Sequence, residues 1–175
     1  MIKRTIATAA IGALCGVALF AVNTPVTVVL KDSTGKDAGT ARLSDGPGGK
    51  GVTIALDVKG IPPGEHAIHI HATAKCEGPA FTTAGGHFNP ASSHHGINNP
   101  ESPKPHAGDM PNFTARADGT AKLNIENSGI TLGEGANSVF VNGGTALMIH
   151  AAPDDLKSDP SGNAGDRIAC GIISR

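Results

Sequence analysis

Seven of the eight histidines in this chain fall in one stretch that ends at Asp109: His66, His69, His71, His87, His94, His95 and His106. The eighth, His150, closes a later apolar run. Packing gives no reason to gather imidazoles in this way, whereas a neutral imidazole is a good ligand for zinc and copper. His69 and His71 stand two apart in an alternating segment, so both project from one face of a strand. Taken alone, such a pair reads more often as a polar edge facing solvent. The other candidates change that balance: His87, His95, His106 and Asp109 follow in a loop-like segment, and His150 comes from the later run. His106 and Asp109 lie three apart, within reach of one ion. A tetragonal set of nitrogens suits Cu(II), and three nitrogens with one carboxylate suit tetrahedral Zn(II). These seven side chains fill two four-coordinate sites only if one is shared. An imidazole that has lost both ring protons offers two nitrogens for sharing.

The elements that must position these residues are short strands. Thr24–Asp32 is rich in Val and Thr, and Ala38–Ser44 alternates moderately. Val52–Val58 places Val52, Ile54, Leu56 and Val58 on one face, the period of a half-buried strand. His66–Ala72 continues the pattern, with Ile68 and Ile70 on the face opposite His69 and His71. From Thr73 to Pro111 periodicity gives way to Gly, Pro, Asn, Ser and His. A loop of this length in a compact domain is uncommon and is either functional or disordered. Asn112–Ala117 and Thr120–Ile125, joined by Asp118-Gly119, predict a hairpin. Gly129–Gly144 is irregular, Thr145–His150 is an apolar strand, Ala151–Gly165 is a second long loop, and Arg167–Ser174 closes the chain as a strand. No segment has helix-length periodicity. About eight short strands with turn signals predict an all-β fold, a Greek-key β-sandwich or flattened barrel with two long functional loops.

At 175 residues the chain has room for one proper core. Its 24 Gly and 12 Pro without a short period fit many turns. A formal charge of -1 leaves no basic stripe for phosphates, which argues against a nucleic-acid partner. Lys3 and Arg4 followed by the small apolar run Ile6–Ala21 read as an export signal over residues 1–21, leaving 22–175 as the mature domain. The run is short for a stable membrane anchor and lacks a charged stop, and Leu14 is large where a lipoprotein site at Cys15 needs a small residue. Cleavage takes the formal charge from -1 to -3 and leaves Cys76 and Cys170. An even pair in an exported domain, periplasmic or secreted, reads as one disulfide; the bland alternative is two unrelated buried thiols.

Six pieces of the chain, in order, resemble the copper/zinc superoxide dismutase family of the exported bacterial kind. They are Gly64-Glu65-His66-Ala67-Ile68-His69-Ile70-His71, Gly86-His87-Phe88-Asn89-Pro90, His95-Gly96, His106-Ala107-Gly108-Asp109, Met148-Ile149-His150-Ala151 and Gly162-Asn163-Ala164-Gly165-Asp166-Arg167-Ile168-Ala169-Cys170-Gly171. The resemblance runs from about Thr24 to the C-terminus. It implies copper on His69, His71, His87 and His150, and zinc on His87, His95, His106 and Asp109, with His87 bridging. It implies that Asp154 orients one histidine of each site, His69 and His95, as carboxylates commonly do for ligating imidazoles. It further implies that Arg167 guides superoxide to copper, that Cys76 pairs with Cys170, and that His66 is a buried structural histidine. Gly directly after the zinc ligand selects His95 over His94, because adjacent side chains cannot both face one site. The implied reaction disproportionates superoxide to oxygen and hydrogen peroxide, with His87 taking up a proton on the nitrogen freed when copper is reduced. The resemblance leaves a homodimer open.

The chain departs from the family pattern in places. Ile68 replaces a frequent aromatic, Ser161 a frequent Thr, and Asp166 stands beside the guiding Arg167. Lys157 is the obvious cation near Asp154, Asp155 and Asp159, which puts strong electrostatic steering in doubt. The competing function is an exported copper/zinc-binding module without redox activity. It is disfavoured because family members that have lost redox activity usually lack a copper ligand, whereas all four copper candidates and Arg167 are present. A purely structural sandwich leaves the histidines unexplained.

Overall fold

Period-two alternation sets which side chains turn inward. The computed structural model describes residues 23–101 and 104–175, so the signal expected over 1–21 lies outside the described residues. The strands are β1 (Val26–Asp32), β2 (Asp37–Asp45), β3 (Val52–Val58), β4 (Gly64–His66), β5 (Ile68–His71), β6 (Phe113–Ala115), β7 (Ala121–Asn127), β8 (Thr145–His150) and β9 (Arg167–Ile173). Val28, Leu30, Ala41, Leu43, Ile54, Leu56, Ile68, Ile70, Leu147, Ile149 and Ile173 meet in one buried core. Each fully buried Val, Leu or Ile contributes roughly 1.5–3 kcal/mol of transfer free energy.

β5, β8, β9, β1, β2, β3 and β7 form one sheet in that order, and β4 pairs separately with β6. β4 and β5 are one path interrupted at Ala67, so the nine segments correspond to the eight strands expected. The Ala67 N–H donates to Ala152 O at 2.9 Å, and the Ala67 carbonyl accepts the His150 N–H at 3.0 Å. The path thereby leaves β6 and joins β8. It carries the chain from one edge of the large sheet to the small β4–β6 ladder, and β6 leads on to β7 at the other edge. The sheet curls into a flattened barrel whose two edges are bridged by the chain itself.

The expected hairpin over 112–125 does not form. The turn does, with Arg116 N–H donating to Thr120 O at 2.8 Å and Gly119 N–H to Arg116 O at 2.9 Å. Beyond it the strands part: β6 pairs with β4 and β7 pairs with β3. The Asp-Gly signal is a local one and specifies a turn. Pairing past the turn is settled by burial, and Ala121 and Ile125 join the core by lying along β3.

Loop 72–112 lies along the free edge of β5. Phe88 N–H donates to Ile70 O, Ile70 N–H to Gly108 O, and Ala72 N–H to Gly86 O, at 2.8–2.9 Å. This satisfies a strand edge that would otherwise be exposed. Gly108 is required there, since a Cβ on it would come within 2.3 Å of Ile70 O. Cys76 in this loop is disulfide-bonded to Cys170 on β9 across 94 residues of chain. In the chain-entropy account a closed loop of that size stabilises by roughly 4–5 kcal/mol. Around it Phe81, Ala84, Ala146 and Met148 form a second small cluster. The outer face of β8 is therefore roofed by the loop, and the alternate histidines of β5 lie under the same roof.

Candidate metal centre

His69 and His71 on β5 pair in register with Met148 and Ala146 on β8, on the roofed side of the sheet. His150 ends β8, where the ladder to β9 shifts register. His87 reaches the same place from the loop through a β-bridge to His71. One ring nitrogen from each of His69, His71, His87 and His150 lies within 4.8 Å of the others. A polar edge facing solvent is excluded, because His69 and His71 are buried.

The outward nitrogens show which ones face inward. His71 Nδ1 donates to Gly85 O at 2.9 Å and His150 Nδ1 donates to Gly165 O at 3.2 Å. A carbonyl only accepts, so each Nδ1 carries the proton and each Nε2 is a bare lone pair. Those two Nε2 atoms face one another at 3.4 Å. His69 gives its Nε2 to the Asp154 carboxylate at 2.8 Å, which leaves Nδ1 buried without a partner. His87 gives its Nδ1 to Asp109 at 2.9 Å, which leaves Nε2 buried without a partner. Four inward lone pairs repel one another unless a cation sits among them. Burial holds the His71, His87 and His150 imidazoles well below their usual range, at about 2, about 4 and about 4, so these rings are neutral at pH 7. A set of four imidazole nitrogens fits copper.

The second group gathers around one oxygen. Asp109 Oδ1 lies 2.9 Å from His87 Nδ1, 3.1 Å from His95 Nδ1 and 3.4 Å from His106 Nδ1. Ligands about 2.0–2.1 Å from a tetrahedral zinc are ~3.3 Å from each other, so the spacing matches three nitrogens and one oxygen on zinc. Burial works to raise the Asp109 pKa, but contacts with His106, His87, His95 and the Gly96 amide bring it below the carboxylate range. Burial also works against a charged His95, yet hydrogen bonds to Asp109 and Asp154 outweigh it and raise the imidazole to about 9. Two carboxylates that face one imidazole make a locally negative pocket, which favours a cation.

Asp154 joins the groups from behind, with Oδ2 on His69 Nε2 at 2.8 Å and Oδ1 on His95 Nε2 at 3.0 Å. Burial opposes its ionisation, but hydrogen bonds from His69 and His95 keep its carboxyl low. Two metal-sized sets therefore share the His87 ring and are tied together by one buried carboxylate.

A sequence profile of the family described as copper/zinc superoxide dismutase matches residues 37–173. This chain belongs to that family. It is 54% identical over 125 residues to superoxide dismutase [Cu-Zn] 2 of Aquifex aeolicus, covering 70% of this chain and 72% of that one. It is 40% identical over 150 residues to the Caulobacter vibrioides superoxide dismutase [Cu-Zn], covering 84% of each. Among solved structures it is similar to a SOD-like protein from Bacillus subtilis at 32% identity and TM-score 0.80, covering 87% of this chain and 99% of that one. The Cu/Zn superoxide dismutase from Brucella abortus matches at 28% identity and TM-score 0.68, over 86% and 100%.

In this copper/zinc superoxide dismutase fold Arg167 is half-buried at the start of β9. Its Nη1 donates to Phe81 O and its Nη2 to Gly85 O, each at 2.7 Å. Gly85 O also accepts from His71, so one carbonyl holds both the guanidinium and a histidine of the copper-type group. Phe81 presents its carbonyl from a left-handed conformation, φ 53°, which is costly for an aromatic residue. His66 is buried between Pro62 O and His150 O and belongs to neither group. His94 is exposed and does not join either group.

Sequence reading missed three residues that hold this arrangement. Asn112 exchanges two hydrogen bonds with the Asp154 main chain, each at 2.9 Å. Buried Asn127 holds Ala107 O and Asp109 O from the end of β7. Gly162 packs on the Asp154 carboxylate at φ +64°, where a Cβ would sit 1.6 Å from Oδ1 and 2.8 Å from His95 Nε2. Gly162 did lie inside a matching motif, but nothing local marked its neighbour. Gly162→Ala is expected to push Asp154 off His95 and to weaken zinc retention about tenfold or more. Zinc transfer to a chelator measures this, and retention equal to wild type would show that the Asp154 contact is dispensable.

Proposed function

We propose that this chain disproportionates superoxide to oxygen and hydrogen peroxide at a centre in which His69, His71, His87 and His150 hold copper and His87, His95, His106 and Asp109 hold zinc. The observation that carries the reading is the His87 ring, whose Nδ1 meets Asp109 while its Nε2 faces the other three histidines with no partner. When bound, copper supplies one-electron redox chemistry between Cu(II) and Cu(I), and zinc supplies a fixed positive charge. Arg167, permanently charged, attracts the small anion to the mouth of the copper-type group. Between the two halves of the cycle His87 Nε2 takes up a proton, which it then gives to the product peroxide. Its Nδ1 stays in the zinc group, so the ring keeps its place while the proton moves. Asp154 fixes the tautomers of His69 and His95.

A copper or zinc buffer without redox activity fits less well. A buffer gains nothing from a guanidinium clamped to the same carbonyl as His71. Metal content of the purified protein, with dismutation assayed before and after chelation and again after copper is restored, tests the reading. Stoichiometric copper without activity would overturn it.

We further infer that residues 1–21 act as a cleaved export signal and that 22–175 form the exported domain. The Cys76–Cys170 disulfide supports an oxidising compartment. For assembly we put forward a homodimer, because exposed Val29 and Ile172 lie on the paired strands β1 and β9; sedimentation of the metal-loaded protein measures it.

Arg167→Glu is expected to slow catalysis roughly tenfold or more through the lost field, with metal content unchanged. Arg167→Gln, which can still donate to the loop carbonyls, should fall between it and wild type. The difference should shrink with salt, since screening acts within about 10 Å at 0.1 M. Asp166 is exposed beside Arg167, so Asp166→Ser should raise the rate at low salt. Equal rates for wild type and Arg167→Glu at every ionic strength would remove Arg167 from the guiding role.

A further inference from the structure

The second loop, 151–166, contributes no residue to either four-residue group, yet it grips the main chain of His95. Asp159 Oδ1 accepts the His95 backbone N–H at 2.6 Å. Its Oδ2 lies 2.7 Å from His94 Nδ1. On the other side of the same residue, Asn99 Nδ2 donates to His95 O at 2.8 Å and to Lys157 O at 3.1 Å. Asn98 N–H donates to Leu156 O at 3.0 Å. The backbone of His95 is therefore fixed at its N–H and its carbonyl, while its buried ring is held between Asp109 and Asp154.

We propose that Asp159 is a positioning residue for the zinc group, setting the depth of the His95 ring by holding the His95 amide. The proposal rests on the reading of His95 as a zinc ligand. The two arms of Asp159 are unequal. The contact with His94 joins side chains that are 61% and 46% exposed, and exposed ion pairs contribute little. The contact with the amide is charge-assisted and lies directly on a residue whose ring is fully buried. A ring held at two nitrogens cannot follow its main chain without losing one of them. A shift of the His95 backbone would therefore move Nδ1 off the zinc position or Nε2 off Asp154. This also changes the role of Asp159, which the sequence presents only as one of several acidic residues near Arg167.

The test uses the metal-loaded exported protein and measures zinc transfer to a chelator, copper content, and the visible spectrum of Co(II) placed in the zinc site. Asp159→Ala should release zinc on the order of tenfold faster or more, alter the cobalt spectrum and keep copper. His94→Ala should stay within about fivefold of wild type. Asp159→Asn, which keeps an oxygen acceptor for the amide, should restore most of the loss. The melting temperature of the metal-free protein should fall by at most a few degrees in Asp159→Ala, because one backbone donor loses its acceptor. Wild-type zinc release and an unchanged cobalt spectrum in Asp159→Ala would overturn the proposal. So would a lowered metal-free melting temperature with an unchanged cobalt spectrum, which makes Asp159 a structural tie only. Asp109→Ala serves as the control: if it too keeps zinc, the zinc reading itself fails, whereas zinc lost from Asp109→Ala but kept in Asp159→Ala rejects the positioning role alone.

Discussion

Replacing His150 by Ala is expected to abolish dismutation and copper binding while zinc remains stoichiometric. His150 supplies one of the four inward lone pairs, and its Nε2 faces that of His71 at 3.4 Å. Removing it leaves three nitrogens and an opening on one side of the group. The loss of copper affinity should exceed the ~10–100-fold typical of a partner that only orients a ligand. His150 is absent from the second group, and His87, His95, His106 and Asp109 keep all their mutual contacts. Its Nδ1 holds only Gly165 O, at 3.2 Å, so the second loop loses one weak tie and keeps Asp154, Asp155 and Asp159 in place. Metal analysis with the copper electron paramagnetic resonance signal checks this. Copper retained at full stoichiometry with activity would remove His150 from the copper set.

Asp109→Ala is expected to act in the reverse order, with zinc lost first and copper distorted second. Asp109 is the only anion of its group, and Oδ1 is hydrogen-bonded to His87 and His95 and lies 3.4 Å from His106 Nδ1. Its Oδ2 accepts the Gly96 N–H at 2.9 Å and the His106 N–H at 3.1 Å. The substitution therefore strands two backbone donors as well as the ligands. An unsatisfied buried donor costs roughly 1–3 kcal/mol, and at this chain length each kcal/mol lowers the melting temperature by roughly 2–4 °C. His87 then loses the contact that directs its Nδ1, so its Nε2 no longer points steadily at the other three histidines. Zinc content should fall to background, the copper signal should broaden, and the protein should melt several degrees lower. Full zinc occupancy in Asp109→Ala would refute the assignment of the second group.

Much of this was legible along the chain because the forces concerned act over a few residues. Alternation in Val52–Val58 and in Ile68–His71 follows from the pleat of a strand, and Asp118-Gly119 specifies its own turn. The crowding of histidines before Asp109 marked metal chemistry, and the six matching pieces pointed to the family. Other features depend on where distant segments meet. The path breaks at Ala67 because its amide and carbonyl find partners at Ala152 and His150, and the strands around Asp118-Gly119 part because burial along β3 outweighs pairing with each other. Asn112 meets Asp154 across 42 residues, Asp159 meets His95 across 64, and Arg167 reaches Phe81 across 86. An Asn, an Asp or a carbonyl carries no local mark of such a partner, because its hydrogen bond costs and gains the same wherever the partner lies in the chain. The sequence by itself determined the strands, the candidate ligands and the family. The register of the barrel and the paths of the two loops decided which oxygen each imidazole meets, because only the folded chain removes those groups from water and leaves them one another.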